Sequence, residues 1–148
     1  MLKFFLGGII QGSNRDDDVH RQDYRAQLRS ILLDAFPDAE VYCPIEHHPN
    51  SLAYSDMRAR EVFFAHVTMC AETDVLVAYL PEASMGTAVE MWAAHNAGRV
   101  VVAISPLVTN WVVKLLSDTV CSDIDAFGRF VGDGRLQGLL ERKANARL

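Results

Sequence analysis

The chain has 148 residues, of which 50% are hydrophobic and 22% are charged. This length and apolar content suffice for one domain with a proper core, and we expect a single domain over residues 1–148. The formal net charge of −5 disfavours a nucleic-acid partner held by bulk attraction to phosphates. No apolar run approaches the roughly 18 residues that a membrane-spanning helix needs, so we expect no membrane partner.

The cysteines and the amino-terminal segment indicate a reducing compartment. Cys43, Cys70 and Cys121 are an odd number without a Cys-x-x-Cys pair, which favours free thiols and gives no zinc signature. The apolar residues 1–8 lack a small-residue cleavage site and run directly into the polar residues 11–18. They are therefore interpreted as a buried strand and not as a signal peptide. We predict a cytoplasmic protein without a metal ion or cofactor.

Strand and helix patterns alternate along the whole chain. Short apolar runs, typical of strands buried on both faces, lie at residues 3–10, 40–43, 75–80, 99–104 and 120–121. Helices are predicted at residues 23–36 and 57–72, from residue 84 onward, and at 112–116 and 124–130. Residues 44–55 are predicted to be a loop, and residues 141–148 a fraying charged tail. This alternation predicts a three-layer, flavodoxin-like or Rossmann-like α/β fold with a parallel sheet of about five strands.

A glycine-rich loop follows the first strand. Residues 7–13 superficially resemble a phosphate-binding P-loop, but Ser13 stands where that loop requires a lysine, which excludes nucleoside triphosphate hydrolysis. The loop could still let backbone N–H groups at Gly8 approach an anion, with Arg15 pairing bidentately to it. Alternatively, the loop is only a turn in which Arg15 pairs with the aspartates at 16–18. The residues by themselves leave both interpretations open.

A helix begins near Ser84, directly after the central strand and a turn. Ser84 is a typical N-cap residue, because its hydroxyl can accept from an unpaired backbone N–H of the first turn. Glu90 is the only formally charged residue of this helix, and Gly86, four residues earlier, leaves open space on the same face. Ligands bind beyond the carboxyl ends of strands in open α/β sheets, so Glu90 is a candidate nucleophile or base. The alternative is a solvent-facing glutamate on an amphipathic helix.

Three histidines and a third polar loop complete the candidate residues. His47 and His48 are adjacent and have no partner ligands at metal spacing, so contact with substrate or solvent is favoured over a metal site. His66 lies on the predicted inner side of the second helix. The polar residues 105–110 follow the fourth strand, so three polar sets, at 8–15, 84–90 and 105–110, are predicted to meet at one edge of the sheet.

These residues resemble the nucleoside 2-deoxyribosyltransferase superfamily, which includes nucleoside 5′-monophosphate N-glycosidases. The resemblance extends from Phe4 to about Trp111. Its most specific part is formed by residues 73–78 and 84–90, which read TDVLVA and SMGTAVE. Within the superfamily, the chain is most similar to the cytidine monophosphate N-glycosidases, through QGSNR at 11–15, ASMGT at 83–87 and NW at 110–111.

The resemblance implies a catalytic nucleophile and a phosphate ligand. The family's catalytic glutamate falls on Glu90, which would attack the anomeric carbon, expel the base and hold the sugar as a covalent ester. Six positions earlier, the transferases carry an aspartate that handles the nucleobase. Ser84 stands there instead, as in the monophosphate hydrolases, where a serine binds the 5′-phosphate. The resemblance therefore favours a nucleotide over a free nucleoside as substrate.

Further residues are assigned to the substrate by the same resemblance. Ser13, Arg15 and the Gly8 backbone would join Ser84 around the phosphate, and Gly86 would lie beside the substrate. Asn110 falls near the position at which a neighbouring subunit completes the site in this family. This implies at least a homodimer, with Asn110 acting in trans.

Two positions depart from the family pattern. An aspartate common on the preceding helix is His66 here, and a tyrosine frequent on the first strand is Phe4. Either the register shifts so that Asp56 or Glu61 substitutes, or the leaving group is handled differently. His66 could donate a proton to a departing pyrimidine if its pKa lies near the working pH.

The sequence therefore predicts a hydrolase that cleaves the N-glycosidic bond of a nucleoside 5′-monophosphate. A pyrimidine, cytosine above all, is the expected base, and the products would be free base and (deoxy)ribose 5-phosphate. One alternative is a 2-deoxyribosyltransferase, against which Ser84 argues. The other is a nucleotide-binding or ADP-ribose-binding sensor without catalysis, which the departures at His66 and Phe4 leave open.

Overall fold

A parallel sheet of apolar strands organises the chain in this computed structural model, which describes residues 1–16 and 18–148. Within the described residues the sheet has five strands: β1 (Lys3–Gly8), β2 (Glu40–Tyr42), β3 (Val75–Tyr79), β4 (Val100–Ile104) and β5 (Thr119–Cys121). Their order is β2-β1-β3-β4-β5, and every neighbouring pair is parallel. The predicted fold class is confirmed.

Helices cover both faces of the sheet. In chain order they are α1 (Tyr24–Ala35), α2 (Pro44–His47), α3 (Asp56–Glu72), α4 (Met85–Asn96), α5 (Trp111–Leu116), α6 (Ile124–Gly132) and α7 (Arg135–Ala146), and a 3₁₀ turn spans Ser51–Ala53. None of the helices described here is both long enough and apolar enough to cross a lipid bilayer.

Two apolar cores flank the sheet, because successive side chains of a strand point to opposite faces. On one face, Leu6 and Val77 pack with Leu28 of α1 and Phe127 of α6. On the other face, Phe5, Leu76, Val101, Cys70 of α3, Met91 of α4 and Val113 of α5 form the second core. Burial on both faces explains why the strands are continuous apolar runs.

The strand order reverses at β1, which has β2 on one side and β3 on the other. These two neighbours pair with β1 over different lengths. β2 pairs with β1 only at Lys3, Phe4 and Phe5, whereas β3 pairs with β1 through Gly8. The β2 side of β1 is therefore left without a strand partner from Leu6 onward in the described chain. In open α/β sheets such a reversal, at the carboxyl ends of the strands, is where ligands bind.

The segment predicted to be a loop contains helical turns. Residues 44–47 form α2 with Pro44 in its first turn, where the missing N–H of proline costs no hydrogen bond. The 3₁₀ turn Ser51–Ala53 follows. The loop prediction for residues 44–55 was therefore wrong in part, because proline signals a helix start as well as a break.

The predicted fraying tail is also helical. α7 runs to Ala146, and its Leu136 is fully buried against the first core. The Lys143 ammonium donates to the Arg99 carbonyl at 2.6 Å and to Asp118 at 2.8 Å. The prediction of fraying was wrong, because these tertiary contacts order a charged segment that has no strong local signal.

Candidate active site

Glu90 projects from α4 towards β1, with its carboxyl group against the backbone of Gly7. A Cβ atom on Gly7 would lie 2.8 Å from Glu90 Oε2, so a side chain at this position would displace the carboxyl group. Glu90 as a whole keeps some exposed surface, but the carboxyl group itself is buried. This burial raises the Glu90 pKa from its usual 4.5 to about 8, although the positive charge of Arg25 lowers it in part. The site thus holds a carboxyl group in a medium of low dielectric, where a charge is poorly screened.

A cavity of about 180 Å³ lies over Glu90, beyond the carboxyl ends of β1 and β2. This volume is below the roughly 300 Å³ of a typical pocket for a drug-sized ligand, so the cavity admits a small ring or part of a larger ligand. Its polar lining consists of His48, Ser51, Tyr54, His66 and Glu90, and its apolar lining includes Ile10, Ile45, Val62 and Phe63.

His66 lines the same cavity as Glu90. Its Nε2 atom lies 2.9 Å from the hydroxyl of Tyr42, with which it shares a hydrogen bond. Burial, and to a smaller extent the neighbouring His48 and His47, lower the His66 pKa to about 4. The imidazole is therefore neutral at neutral pH, where it can exchange hydrogen bonds but is not a cationic proton donor. The proposed acid role of His66 stays a prediction.

A second histidine–tyrosine pair, His48 and Tyr54, also lines this cavity. His48 Nδ1 lies 2.9 Å from the hydroxyl of Tyr54, and the His48 and His66 rings are 5.3 Å apart. His47 instead stacks on Tyr42, with 4.3 Å between the ring centroids, and does not line the cavity. Sequence reasoning missed Tyr54 entirely, because a lone tyrosine after a proline-containing loop has no distinguishing signal.

Ser84 and Asn110 lie together in a separate cavity of about 170 Å³. Both residues cap helices: Ser84 Oγ accepts from the Thr87 backbone N–H at 3.3 Å, and Asn110 Oδ1 accepts from that of Val112 at 3.0 Å. The N-cap predicted at Ser84 is therefore present. No atom lies within 4 Å of the Cβ position of Gly86, so the surface beside it is open. The structure thus groups Ser84 with Asn110, and Glu90 with His66.

The loop after β1 contributes less than expected to either cavity. Ser13 and Arg15 are exposed and line neither of the two cavities, and Gly8 is buried under Tyr24. One interpretation paired Arg15 with the aspartates at 16–18, of which Asp17 lies outside the described residues. The roles of Gly8, Ser13 and Arg15 in phosphate binding stay predictions.

The proposed substitutes for the family's aspartate lie away from Glu90. Asp56 and Glu61 are exposed on α3, and neither lines the Glu90 cavity. Phe4 packs on Phe36 in the core on the α1 side of the sheet, with 5.4 Å between the ring centroids. Of Asp56, Glu61 and His66 on α3, only His66 therefore lines the same cavity as Glu90.

Arg25 is the principal residue of the site that sequence reasoning missed. It is only 4% exposed, and it donates to the carbonyls of Leu6 at 2.8 Å and Gly8 at 3.3 Å. A signal was present in α1: Arg25, Leu28 and Leu32 follow the i, i+3, i+7 spacing of the buried stripe. A charged residue on such a stripe indicates a specific buried partner.

The described residues include no group of three or more histidine, cysteine or acidic side chains arranged to hold a metal ion. The three cysteines are free thiols, and each is buried.

No protein-family model and no curated protein matches this chain. Among solved structures, a 2-deoxyribosyltransferase from Bacillus psychrosaccharolyticus superposes with a TM-score of 0.65 at 17% identity, over 85% of this chain and 90% of that one. A conserved protein from Enterococcus faecalis V583 superposes with a TM-score of 0.64 at 21% identity, over 90% and 98%.

The CMP N-glycosidase of Clostridium botulinum superposes with a TM-score of 0.52 at 14% identity, over 88% of this chain and 98% of that one. All three likenesses extend over nearly the whole of both chains. They concern the arrangement of the helices and strands, since the identities are low. The chain therefore shares its arrangement of helices and strands with these three structures, among them a 2-deoxyribosyltransferase and a CMP N-glycosidase.

Proposed function

We propose that this protein is a hydrolase that cleaves the N-glycosidic bond of a pyrimidine nucleoside 5′-monophosphate, of which CMP is the type. The observation that carries this proposal is the buried Glu90 carboxyl group, which lies against Gly7 at the edge of a small cavity where the strand order reverses. The fold adds support, because similar structures include a 2-deoxyribosyltransferase and a CMP N-glycosidase.

The proposed reaction has two displacement steps. The Glu90 carboxylate attacks the anomeric carbon of the sugar, an ester bond forms, and the bond to the base nitrogen breaks with its electron pair leaving on the base. A water molecule then attacks the same carbon: its hydroxyl stays on the sugar, its other proton ends on the departed base, which is released neutral, and the ester bond breaks with its electron pair returning to the Glu90 carboxylate. An anionic group opposite a carbon with oxocarbenium character stabilises both transition states.

The small cavity over Glu90 is the proposed site of the departing base. Its volume of about 180 Å³ suits one ring better than two. The neutral imidazoles of His48 and His66 and the hydroxyl of Tyr54 offer hydrogen bonds to the polar edge of a pyrimidine. Such bonds stabilise negative charge on the leaving base without a full positive charge in the cavity.

Ser84 is the proposed ligand of the 5′-phosphate. It begins α4, where the backbone N–H groups and the positive end of the helix dipole favour an anion. Glu90 follows six residues later, which is about 9 Å along a helix axis. The two side chains also differ by about 120° around that axis. In the proposed complex the sugar phosphate therefore extends from the cavity of Glu90 to the separate cavity of Ser84. Arg15 and Ser13, on the exposed loop after β1, would approach the phosphate when it binds.

Replacing Ser84 by alanine is expected to raise KM for a nucleoside 5′-monophosphate by about 10-fold or more, because a hydrogen bond to a charged group is lost. Turnover of the corresponding nucleoside should change little. Release of free base, followed by chromatography, measures both substrates. Ser55→Ala is the matched control, since Ser55 caps α3 by accepting from the Arg58 N–H at 3.2 Å and lies in neither cavity. An equal loss of activity towards the nucleotide and the nucleoside in Ser84→Ala would contradict the role of Ser84 as a phosphate ligand.

We also propose that two copies of this chain associate through the outer faces of α3, α4 and α5. Large apolar side chains are exposed there, among them Trp92 at 57% and Trp111 at 78%. An apolar face that extends over several helices is unusual on a monomer and is typical of an interface. The second copy would cover the cavity that contains Asn110 and Ser84, and the proposed role in trans requires each Asn110 to reach the partner's site across the two-fold axis. Other large exposed apolar side chains of these three helices are Phe64, Met85, Val89, Val112 and Leu115.

Mixing two inactive variants tests the contribution of Asn110 in trans. Glu90→Ala and Asn110→Ser should each be nearly inactive, and the introduced serine would keep a helix-capping hydroxyl while removing the amide donor. After mixing and subunit exchange, about a quarter of wild-type activity should return, because half of the dimers are mixed and each contains one intact site. Analytical ultracentrifugation establishes the dimer independently. An absence of recovery in verified mixed dimers would show that Asn110 acts in cis or not at all.

A further inference from the structure

Arg25 is a buried guanidinium that the proposed reaction leaves without a role. It lies on α1 at 4% exposure. Its Nη1 atom donates to the Leu6 carbonyl at 2.8 Å, its Nη2 atom to the Gly8 carbonyl at 3.3 Å, and its Nε atom to Gln22 Oε1 at 2.8 Å. Arginine is seldom buried unless it is paired, because removing a charge from water is costly. Its position therefore requires a physical reason.

The first reason is the early end of β2. The Leu2 carbonyl accepts from the Glu40 N–H at 2.9 Å, so alternate carbonyls of β1, starting at Leu2, point towards β2. β2 pairs with β1 only as far as Phe5. The next two carbonyls that point the same way belong to Leu6 and Gly8. The planar fork of Arg25 donates to both and so replaces the missing strand.

The second reason is Glu90. Leu6 and Gly8 flank Gly7, and Gly7 is the residue against which the Glu90 carboxyl group lies, with 2.8 Å between its Cβ position and Oε2. Arg25 approaches these three residues from the edge of the sheet, and Glu90 approaches them from the α4 face. The guanidinium and the carboxyl group thus share one short piece of backbone in a buried environment, where their attraction is weakly screened.

Arg25 is also the only positive charge that faces Glu90 at neutral pH in the part of the chain that the structure describes. Four other titratable neighbours of Glu90 are uncharged at neutral pH: burial lowers the pKa of the two imidazoles, and it raises further the pKa of a phenol and a thiol that are neutral there in any case. They are His48 before the 3₁₀ turn, His66 and Cys70 on α3, and Tyr24 on α1.

We propose that Arg25 is the positioning residue of the nucleophile: it holds the β1 backbone on which Glu90 rests and supplies the charge that allows the buried carboxyl group to ionise. The part of this role that concerns turnover rests on the proposed function, because it requires Glu90 to be the attacking group. Support comes from the direction of the electrostatic effect, since the charge of Arg25 lowers the Glu90 pKa against the effect of burial.

The experiment is a direct titration of Glu90 in the free protein. Carboxyl-¹³C-labelled glutamate is incorporated, and the Glu90 signal is assigned by its loss in Glu90→Gln. Arg25→Met, which keeps the length and removes the charge, should raise the Glu90 pKa by about one to three units. Arg25→Lys keeps a charge but cannot donate to both carbonyls in the same geometry, so it should give a smaller rise. In base-release assays the rise of kcat/KM with pH should shift upward by the same amount.

Arg29→Met is the matched control. Arg29 lies one turn further along α1, donates to the Val41 carbonyl at 2.9 Å and pairs with Glu46, away from Glu90. This variant should leave the Glu90 titration unchanged. An unchanged Glu90 pKa in folded Arg25→Met overturns the proposal. If Arg25→Met does not fold, Arg25→Lys takes its place. The proposal is then overturned if Glu90 has the same pKa in Arg25→Lys as in Arg29→Met.

The titration needs no substrate, so this proposal and the proposed function fail separately. If wild-type protein releases no base although its Glu90 pKa responds to Arg25, the hydrolase is contradicted and the electrostatic link stands. If the wild type releases base and the Glu90 pKa does not change when Arg25 is replaced, the electrostatic link is contradicted and the hydrolase stands.

Discussion

Glu90→Gln is expected to reduce base release from nucleoside 5′-monophosphates by about 10⁴-fold or more, because the amide cannot attack the anomeric carbon to form an ester. The shape of the site should survive, since glutamine has the size of glutamate and still fits against Gly7. The measurement is base release from a panel of ribonucleoside and deoxyribonucleoside 5′-monophosphates and the corresponding nucleosides. Activity confined to one class of monophosphate would support the assignments of both Glu90 and Ser84.

The same panel distinguishes the rival functions. A transferase would form more product when a second free base is added, whereas a hydrolase would not. A protein that binds nucleotides tightly and releases no base from any of them would be a sensor. Glu72→Gln, a substitution on the exposed end of α3, is the control for nonspecific effects of removing a carboxylate. Full activity of Glu90→Gln would exclude Glu90 as the nucleophile.

Glu90→Gln is also expected to stabilise the folded protein at alkaline pH. Burial raises the folded-state pKa of Glu90 from 4.5 to about 8. Below pH 4.5 the carboxyl group is protonated in both the folded and the unfolded state. As the pH rises from 4.5 to 8, the unfolded chain loses this proton first, so the contribution of Glu90 to stability falls. Glutamine does not titrate and avoids this loss, which amounts to about 3 to 5 kcal/mol.

The test is urea denaturation of wild type and Glu90→Gln at several pH values between 4.5 and 8.5. The difference between their free energies of unfolding isolates Glu90, because the other titrating groups are common to both proteins. It should increase with pH and become constant above about 8. Glu72→Gln is the matched control, since it replaces an exposed glutamate that lies outside the cavity of Glu90. A difference that does not vary with pH would mean that the Glu90 carboxyl group is not held protonated. If Glu90 is the nucleophile, its burial would then be a case in which the active site lowers the stability of the folded protein.

The sequence alone determined the layered α/β architecture and identified Glu90 as the main candidate for catalysis. Continuous apolar runs and amphipathic helices are local patterns, and their alternation leaves few arrangements besides a parallel sheet with helices on both faces. Ser84 was identified as an N-cap because capping depends on a few adjacent residues. Glu90 was recognisable because it is the only charged residue of an otherwise uncharged helix next to the carboxyl end of a strand.

The tertiary structure alone decided which side chains meet. Arg25 lies at the edge of β1 because β2 ends early. How far β2 pairs with β1 cannot be read from the local sequence of either strand. The tertiary structure also brought Tyr54 to His48, and His66 to Tyr42, across loops whose paths depend on packing. It separated the cavity of Ser84 from that of Glu90, although six residues join them. These three features have the same physical reason. A buried charge, a pair of side chains and a cavity each depend on residues that are neighbours in space, whereas sequence periodicity reports only neighbours along the chain.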